Sequence, residues 1–166
     1  MLTDAGVYYS SAGEVMKRFN IRDGMGVERL REAGVETGIM TGERSPSVVL
    51  RAEKLRIVKL WLGVKKKGPA LAAALRDAGV GLDEVAYIGD DCNDLDALAL
   101  VSDRGLAGAP RDALASVRAA VHHTTAVDGG HGAFRDFAEW ILHLRERGRP
   151  PPLHPRRTVP TPRRNQ

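Results

Sequence analysis

The sequence predicts an α/β fold: a Rossmann-like, three-layer arrangement in which a parallel sheet is covered by helices on both faces. Short apolar runs alternate with amphipathic helical stretches through most of the chain, and this alternation is typical of parallel sheets built from strand–helix units. Near the start, two short runs flank the turn Ser10-Ser11-Ala12-Gly13. That pattern predicts a β-hairpin, which would project from the sheet as a flap.

The individual elements follow in chain order. The hairpin strands are predicted at 7–10 and 14–19. Apolar runs predict sheet strands at 35–40, 57–61, 85–88 and 105–107. Helical spacing predicts helices at 45–55, 68–78, 95–101, 112–120 and 132–147; the apolar face of the last one comprises Phe134, Phe137, Ile141 and Leu144.

Charge and composition exclude several classes of protein. The chain has a net charge of +4, but residues 149–166 contain five arginines and no acid, so residues 1–148 carry −1. The basic charge therefore belongs to a proline-rich tail, predicted to be disordered, and a nucleic-acid partner is not expected for the body. The apolar runs are too short to span a bilayer, so no membrane association is expected. A single cysteine, Cys92, excludes an internal disulfide framework and fits a cytoplasmic protein.

Ligands of open α/β sheets bind at the carboxyl ends of the strands, and chemically useful residues follow three of the predicted strands. Thr41 and Gly42 follow the first, where a hydroxyl and a backbone amide suit a phosphate oxygen; an ordinary strand exit is the alternative. Lys65, Lys66 and Lys67 follow the second. A lysine run is usually a solvated surface, but one lysine at the site edge would neutralise a phosphate or a carboxylate pair.

The third strand is followed by Gly89-Asp90-Asp91-Cys92-Asn93-Asp94. Three carboxylates within five residues repel one another and are best tolerated around a cation, and Mg²⁺ prefers oxygen ligands. A helix cap at Asp94 or Asn93 is the alternative, but a cap accounts for one acid and leaves Asp90 and Asp91 unexplained.

Threonine, lysine and an aspartate pair after successive strands are the second, third and fourth motifs of the haloacid dehalogenase superfamily. Four stretches carry a closer resemblance: FNIRDGMGVERLREAGVETGIMTGERS, GVKKKGPALAAALRDAGV, EVAYIGDDCNDLDAL and GGHGAFRDFAEWIL. They resemble the capless subgroup of 3-deoxy-manno-octulosonate 8-phosphate phosphatases, which includes sialic-acid-type 9-phosphate phosphatases and the C-terminal domains of CMP-sialate synthetases. The resemblance covers residues 1 to about 147 and predicts a phosphatase domain at 1–148.

The resemblance implies a Mg²⁺-dependent phosphatase that acts through a phospho-aspartate on a sugar-acid phosphate. By motif match, Thr41 would bind the phosphoryl oxygens and Lys67 would stabilise the transferred charge. Asp90 would be a metal ligand, with Asp91 or Asp94 as its partner. Further residues match segments near the substrate: Arg22, Gly42, Glu43, Lys54, Gly130 and Arg135.

The first motif of the family, DxDGVLTDG, is represented only by its end, Leu2-Thr3-Asp4. The nucleophile would fall about four positions before Met1 and the acid–base aspartate about two before it. Two explanations remain open: a start codon assigned inside the motif, since Met1 stands where the family has valine, or a truncated, non-catalytic chain.

Substrate and assembly follow from the same resemblance. Glu43 replaces the arginine usual in the octulosonate branch, and Arg51-Ala52-Glu53-Lys54 follows. This combination favours a nine-carbon sialic-type 9-phosphate over octulosonate 8-phosphate. Glu43 and Lys54 could pair across the site mouth or meet sugar hydroxyls, and a surface salt bridge is the alternative. The family implies a homotetramer closed by the hairpin. The alternative function is an inactive oligomerisation domain that partners a cytidylyltransferase.

Overall fold

The computed structural model describes residues 1–147. The predicted disordered tail at 149–166 lies outside the described residues. A hairpin of β1 (Tyr8–Ser10) and β2 (Gly13–Met16) comes first, paired antiparallel as predicted. It is shorter than predicted, because the chain leaves the ladder after Met16.

The strands and helices of the body then alternate, which confirms the α/β class. The strands are β3 (Gly38–Met40), β4 (Lys59–Trp61), β5 (Ala86–Ile88), β6 (Leu106–Ala109) and β7 (His123–Thr124). The helices are α1 (Ile21–Glu32), α2 (Pro46–Lys54), α3 (Lys67–Ala78), α4 (Leu95–Ser102), α5 (Ala115–Arg118) and α6 (Ala133–Arg147), with short 3₁₀ turns at Leu82–Glu84 and Cys92–Asp94.

The parallel strands of the described chain form two ladders and not the single sheet predicted. β3 pairs with β4, and β5 pairs with β6, which pairs with β7. Both ladders bury one face in the same apolar cluster: Ile39 and Leu60 from the first pack against it, as do Ile88 and Leu106 from the second. That cluster is built mainly by α1 and α6, so these helices hold the two ladders together.

Alternate strand residues face the opposite layer, as the two-residue period of a strand requires. Met40 and Tyr87 pack against the cluster formed by α3 and α4, and Ala107 belongs to the cluster of α4 and α5. The protein therefore has the predicted three layers, with α1 and α6 on one face and α3, α4 and α5 on the other. Across the described residues, no helix is both long and apolar enough to cross a membrane.

Three elements differ from their predictions. The sequence pattern predicts no element at α1, because Gly24 and Gly26 in its first turns weaken helix propensity. Asn20 nevertheless caps the helix by accepting from the Arg22 amide. β7 was too short to detect. The helix predicted at 112–120 is confined to α5, because the Asp112 carboxylate instead accepts from the Gly129 amide.

Candidate active site

A buried ion pair joins the start of α3 to the loop after β5. Lys67 Nζ lies 2.7 Å from Asp94 Oδ1, and the two side chains are only 9% and 3% exposed. The Tyr87 hydroxyl, which projects from β5, donates to the same oxygen at 2.7 Å. The second oxygen, Oδ2, accepts from the backbone amides of Asp90 and Asp91 at 3.2 and 3.3 Å. Both oxygens of Asp94 are thus engaged, and the carboxylate organises the loop around it.

The electrostatics of this cluster favour an ionised Asp94. Burial opposes ionisation, but the hydrogen bonds from Lys67 and Tyr87 outweigh it, so the pKa of Asp94 is lowered from its ordinary value. The pKa of the Tyr87 phenol is raised, mainly by burial and then by the negative charge of Asp94. Tyr87 therefore acts as a hydrogen-bond donor and Asp94 as an acceptor.

A glycine allows Asp94 to fold back onto this loop. A Cβ on Gly89 would lie 2.4 Å from Asp94 Cβ and 2.6 Å from its carboxyl carbon. Any other residue at position 89 would push Asp94 away from Lys67. The Gly-Asp-Asp order of the sequence thus reflects a steric requirement as well as a chemical one.

Asp90 and Asp91 differ in their surroundings. Burial raises the pKa of Asp90, and the charges of Asp94 and Asp91 add to this effect, whereas the N-terminal ammonium and Lys67 oppose it. Asp91 Oδ1 instead accepts from the Cys92 amide at 2.6 Å and caps the short 3₁₀ turn. The carboxylate of this loop that would gain most from a bound cation is therefore Asp90.

Thr41 and Gly42 stand at the carboxyl end of β3. The Thr41 amide donates to Trp61 O, and its carbonyl accepts from Val64, so Thr41 is fastened to the loop that leads to Lys67. The Thr41 hydroxyl accepts from the Glu43 amide at 3.1 Å. A Cβ on Gly42 would lie 3.8 Å from Lys65 Nζ, so a cationic group is close to the Gly42 backbone. The two strand ends predicted to carry phosphate-binding groups are thus linked.

The glycine segment, defined here as residues 129–132, lies against the first residues of the chain. The Gly130 amide donates to Met1 O at 2.9 Å, and a Cβ on Gly130 would lie 2.4 Å from Asp4 N. The Met1 amino nitrogen is in turn 3.9 Å from Asp90 Oδ2. The predicted substrate-binding glycine Gly130 therefore borders the same corner of the protein as Asp90.

Two of the predicted substrate-binding residues flank the glycine segment. Arg22 lies in the first turn of α1, with its Cβ 4.0 Å from the position of a Cβ on Gly132. The Arg135 guanidinium pairs with Glu139 at 2.7 Å, and Arg29 pairs with the same carboxylate. A substrate carboxylate would compete with Glu139 for Arg135, and the substrate-binding roles of Arg22 and Arg135 stay predictions.

The suggested pairing of Glu43 with Lys54 is wrong for the described chain, whose ion pairs do not include it. The physical reason is the length of α2, since Glu43 precedes its first residue and Lys54 is its last. At a rise of about 1.5 Å per residue, a nine-residue helix separates them by more than 12 Å. Lys54 is exposed at the far end of the helix from Thr41, Gly42 and Glu43.

Sequence reasoning missed Tyr87 and Asn93. The apolar pattern places Tyr87 inside a strand, although its position directly before Ile88-Gly89-Asp90 is a signal, since a buried phenol needs a partner. The sequence suggests only a helix cap for Asn93, but its Oδ1 accepts from Lys67 Nζ at 3.5 Å.

The oxygen atoms around Asp90 bear on whether a divalent cation fits at this loop. Among the described residues, no three histidine, cysteine or acidic side chains converge as a cation cage would require. Asp94 is saturated by its four hydrogen bonds, whereas the Asp90 side chain accepts no hydrogen bond from residues 1–147 and has only the Met1 amino nitrogen at 3.9 Å. Mg²⁺ commonly uses one or two carboxylates and completes its shell with water and phosphate oxygens, so Asp90 fits that mode of binding. Metal ligation by Asp90, Asp91 and Asp94 stays a prediction.

Comparison with known proteins identifies the family. No family model matches the sequence. The chain is 37% identical over 142 residues to 3-deoxy-D-manno-octulosonate 8-phosphate phosphatase of Haemophilus influenzae, covering 86% of this chain and 77% of that protein. It is similar to the crystal structure of the same phosphatase from Moraxella catarrhalis in complex with a magnesium ion, a phosphate ion and KDO: TM-score 0.80, 34% identity, coverage of 86% and 80%.

A haloacid dehalogenase superfamily hydrolase of subfamily III A from Legionella pneumophila is similar at a TM-score of 0.82, with 32% identity and coverage of 87% of this chain and 78% of that one. The relationship extends through the elements that carry Thr41, Lys67 and Asp90, and it agrees with the motifs recognised in the sequence. The chain therefore belongs to the 3-deoxy-D-manno-octulosonate 8-phosphate phosphatase family of the haloacid dehalogenase superfamily.

Proposed function

We propose that this protein is a Mg²⁺-dependent phosphatase that hydrolyses the phosphate monoester of a 2-keto-3-deoxy sugar acid. The observation that carries the proposal is the buried contact of Lys67 with Asp94, beside an Asp90 carboxylate whose pKa is raised. Such a perturbed, convergent set of charged groups at strand ends is typical of an active site. A carboxylate attacks phosphorus and the phosphorus–oxygen bond to the sugar breaks, so that the sugar oxygen leaves with a proton from an acid. Water then cleaves the acyl phosphate, which releases inorganic phosphate and restores the carboxylate.

Asp90 would hold the cation. Its side chain accepts no hydrogen bond in the described chain, and its burial disfavours the charged form. A cation next to Asp90 would give the carboxylate a partner and would favour its charged form. When bound, Mg²⁺ would neutralise the negative charges that the carboxylates and the phosphoryl oxygens bring together. Asp94 would hold the loop in place without ligating the metal directly.

Lys67 and the β3 exit would bind the phosphoryl group. The Lys67 ammonium is fixed by Asp94 Oδ1 and lies near Asn93, so its donors are held in place before a ligand arrives. Thr41 and Gly42 offer a hydroxyl and backbone amides on the neighbouring strand end. These groups neutralise negative charge and orient phosphorus for attack.

The nucleophile of this proposal is the aspartate that the resemblance places about four positions before Met1. Its support is the resemblance itself, whose first motif ends at Leu2-Thr3-Asp4 in this chain.

The substrate is proposed from the relatives and from one sequence feature. The curated relatives are named for octulosonate 8-phosphate, and we propose this eight-carbon compound as the first substrate to test. The sequence-based preference for a nine-carbon sialic-type 9-phosphate, which depends on Glu43, stays a prediction.

The hairpin supports the proposed homotetramer. Tyr8 and Tyr9 on β1 are 58% and 66% exposed, and Val15 and Met16 on β2 are exposed as well. A two-stranded ribbon is marginal alone, so an apolar exposed ribbon is suited to pack on another subunit. A cytidylyltransferase partner and a cytoplasmic location stay predictions.

A phosphate-release assay tests the function. Purified native protein is incubated with octulosonate 8-phosphate and with a nine-carbon 9-phosphate, with Mg²⁺ or with chelator, and its intact mass is compared with 18.0 kDa. The proposal expects Mg²⁺-dependent release of phosphate and a higher kcat/KM for one of the two sugars. Absence of release with both sugars, from protein whose mass equals that of the 166 residues, would overturn it in favour of the inactive oligomerisation domain.

A binding experiment isolates the cation site. Mg²⁺ with inorganic phosphate is expected to raise the melting temperature of the protein, and Asp90→Asn is expected to abolish this rise. Asp103→Asn is the matched control, since Asp103 is exposed at the end of α4. An equal rise in all three proteins would remove Asp90 from the site.

A further inference from the structure

Asp23 is a buried carboxylate that has no role in the site described above. It lies in the first turn of α1 and is 1% exposed. No lysine or arginine of the described chain forms an ion pair with it. Asp23 Oδ1 accepts from the Arg135 amide at 3.1 Å, and Oδ2 accepts from the Gly132 amide at 3.3 Å. Within residues 1–147, the hydrogen-bond partners of the Asp23 carboxylate are backbone amides at the start of another helix.

The carboxylate supplies a cap that the sequence of α6 lacks. The first amides of a helix have no partner within the helix, and serine, threonine, asparagine or aspartate usually provides one from the position just before it. Here that position is Gly132, with a φ of +104°, which has no side chain to offer. Asp23 fills this role from α1, where its charge also meets the positive end of the α6 dipole.

Close packing keeps the two helices in register. A Cβ on Gly26 would lie 3.0 Å from Arg135 Cα and 3.3 Å from the Phe134 ring. α1 therefore approaches the first turn of α6 at a distance that only glycine permits. The Asp23 carboxylate sits one turn earlier on the same helix, so the position of the glycine segment depends on α1.

Contacts lead from this cap to the proposed site. Gly132 ends the glycine segment, whose residue Gly130 donates to Met1 O at 2.9 Å. Met1 N is next to Asp90 Oδ2. At the other end, Gly129 donates to Asp112 Oδ1 at 2.9 Å. The segment is thus held by several hydrogen bonds, and the Asp23 carboxylate provides the one that connects it to α1.

We propose that Asp23 is a positioning residue for the active site: its carboxylate caps α6 from α1 and thereby fixes residues 129–132 against the first residues of the chain, beside Asp90. This inference rests on the proposed function for its kinetic consequence. Its structural consequence, a fixed glycine segment, is independent of catalysis.

A purely structural cap makes a different prediction. If Asp23 only stabilised α6, its loss would lower the melting temperature and leave ligand binding unchanged. If it positions the glycine segment, its loss also loosens residues 129–132 and 1–4 and raises KM more than it lowers kcat. Asp23→Asn keeps one acceptor oxygen and is expected to recover part of what Asp23→Ala loses.

The test compares Asp23→Ala and Asp23→Asn with Val117→Ala, a control that truncates a fully buried side chain of α5 in another apolar cluster. Backbone hydrogen exchange is measured in all variants at temperatures equally far below their melting points. KM and kcat for the sugar-acid phosphate are measured alongside. Asp23→Ala is expected to speed exchange at residues 129–135 and 2–4 at least tenfold and to raise KM about tenfold, with kcat changed less than threefold; Asp23→Asn is expected to fall between.

Val117→Ala is expected to change neither the exchange rates at residues 129–135 and 2–4 nor KM by more than twofold. Unchanged exchange at 129–135 in Asp23→Ala would overturn the inference, as would a KM unchanged in a variant that has lost stability. If the unsubstituted protein releases no phosphate, the proposed function fails, and the exchange rates alone then decide the role of Asp23.

Discussion

The ammonium group of Lys67 and the carboxylate of Asp94 lie 2.7 Å apart in the interior of the protein, where each side chain is less than one-tenth exposed. A buried pair gives little net stability when it is intact, but removal of one partner leaves an uncompensated charge. Lys67→Met is therefore expected to lower the free energy of unfolding by about 3 kcal/mol.

Lys66→Met is the matched control for this substitution, because Lys66 is the exposed neighbour of Lys67. It is expected to change the free energy of unfolding by less than about 0.5 kcal/mol. Urea unfolding of both variants makes the comparison. Equal losses would mean that the contact with Asp94 contributes nothing specific.

The lowered pKa of Asp94 predicts a pH dependence of stability. Because its folded pKa lies below the ordinary value of 3.8, the stabilisation is fully present above pH 3.8 and is lost as the pH falls through the folded value. Compared with Asp94→Asn, the protein should show a constant advantage at neutral pH that shrinks below about pH 4.

Urea unfolding of both proteins from about pH 7 to about pH 3 measures this advantage. The contribution of Asp23 to the pH dependence of stability has the opposite sign. Burial raises the pKa of Asp23, so its ionisation as the pH rises lowers the stability. Its contribution is common to both proteins and cancels in the difference. A difference independent of pH would contradict the prediction.

Tyr87 contributes a hydrogen bond to a charged acceptor. Tyr87→Phe keeps the ring and removes the donor to Asp94 Oδ1, so a loss of about 2 kcal/mol is expected. Tyr9→Phe is the control, because Tyr9 is 66% exposed. Thermal unfolding of both variants compares them, and a Tyr87→Phe variant as stable as Tyr9→Phe would show that another donor replaces the phenol.

Gly130 combines a left-handed backbone with a close contact, and two substitutions separate these effects. Gly130 and Gly79 have φ values of +66° and +65°. A Cβ on Gly130 would lie 2.4 Å from Asp4 N, whereas a Cβ on Gly79 meets nothing within 4 Å. Gly79→Ala should cost about 1 kcal/mol from backbone strain alone, and Gly130→Ala clearly more.

Chemical denaturation of the two alanine variants gives the steric part as a difference. The extra loss in Gly130→Ala measures how firmly the first residues of the chain are packed against the glycine segment. Equal losses would mean that residues 1–4 move aside, and the contact that leads to Asp90 would then be weak.

The sequence predicted most of the fold because apolar periodicity is a local property. Strands β3 to β6 and the long helix α6 were recognisable from their own residues. α1 could not be predicted, because Gly24 and Gly26 lower helix propensity. These glycines allow close packing against Arg51 and Arg135, and only the folded protein shows that packing. The division of the parallel strands into two ladders could not be predicted either, because it depends on pairing between strands that are far apart in the sequence.

The candidate site was predicted in part for the same reason. Motif spacing identified Lys67 and the aspartate loop. It could not tell that Asp94 would be saturated by donors while the Asp90 carboxylate accepts no hydrogen bond from the described residues. The distance between Glu43 and Lys54 depended on which residues α2 occupies. Asp23 gave no signal, since the amides that it binds lie more than 100 positions away.

That separation bears on how the chain emerges from the ribosome. Asp23 and Gly132 are 109 positions apart, so α1 is synthesised long before the amides that its carboxylate binds exist. A carboxylate without partners resists burial, and α1 also lacks its packing surface on α6 until then. Cotranslational folding is therefore expected to leave α1 undocked until the last helix has left the exit tunnel, and a stalled chain that ends before α6 would expose this surface to chaperones.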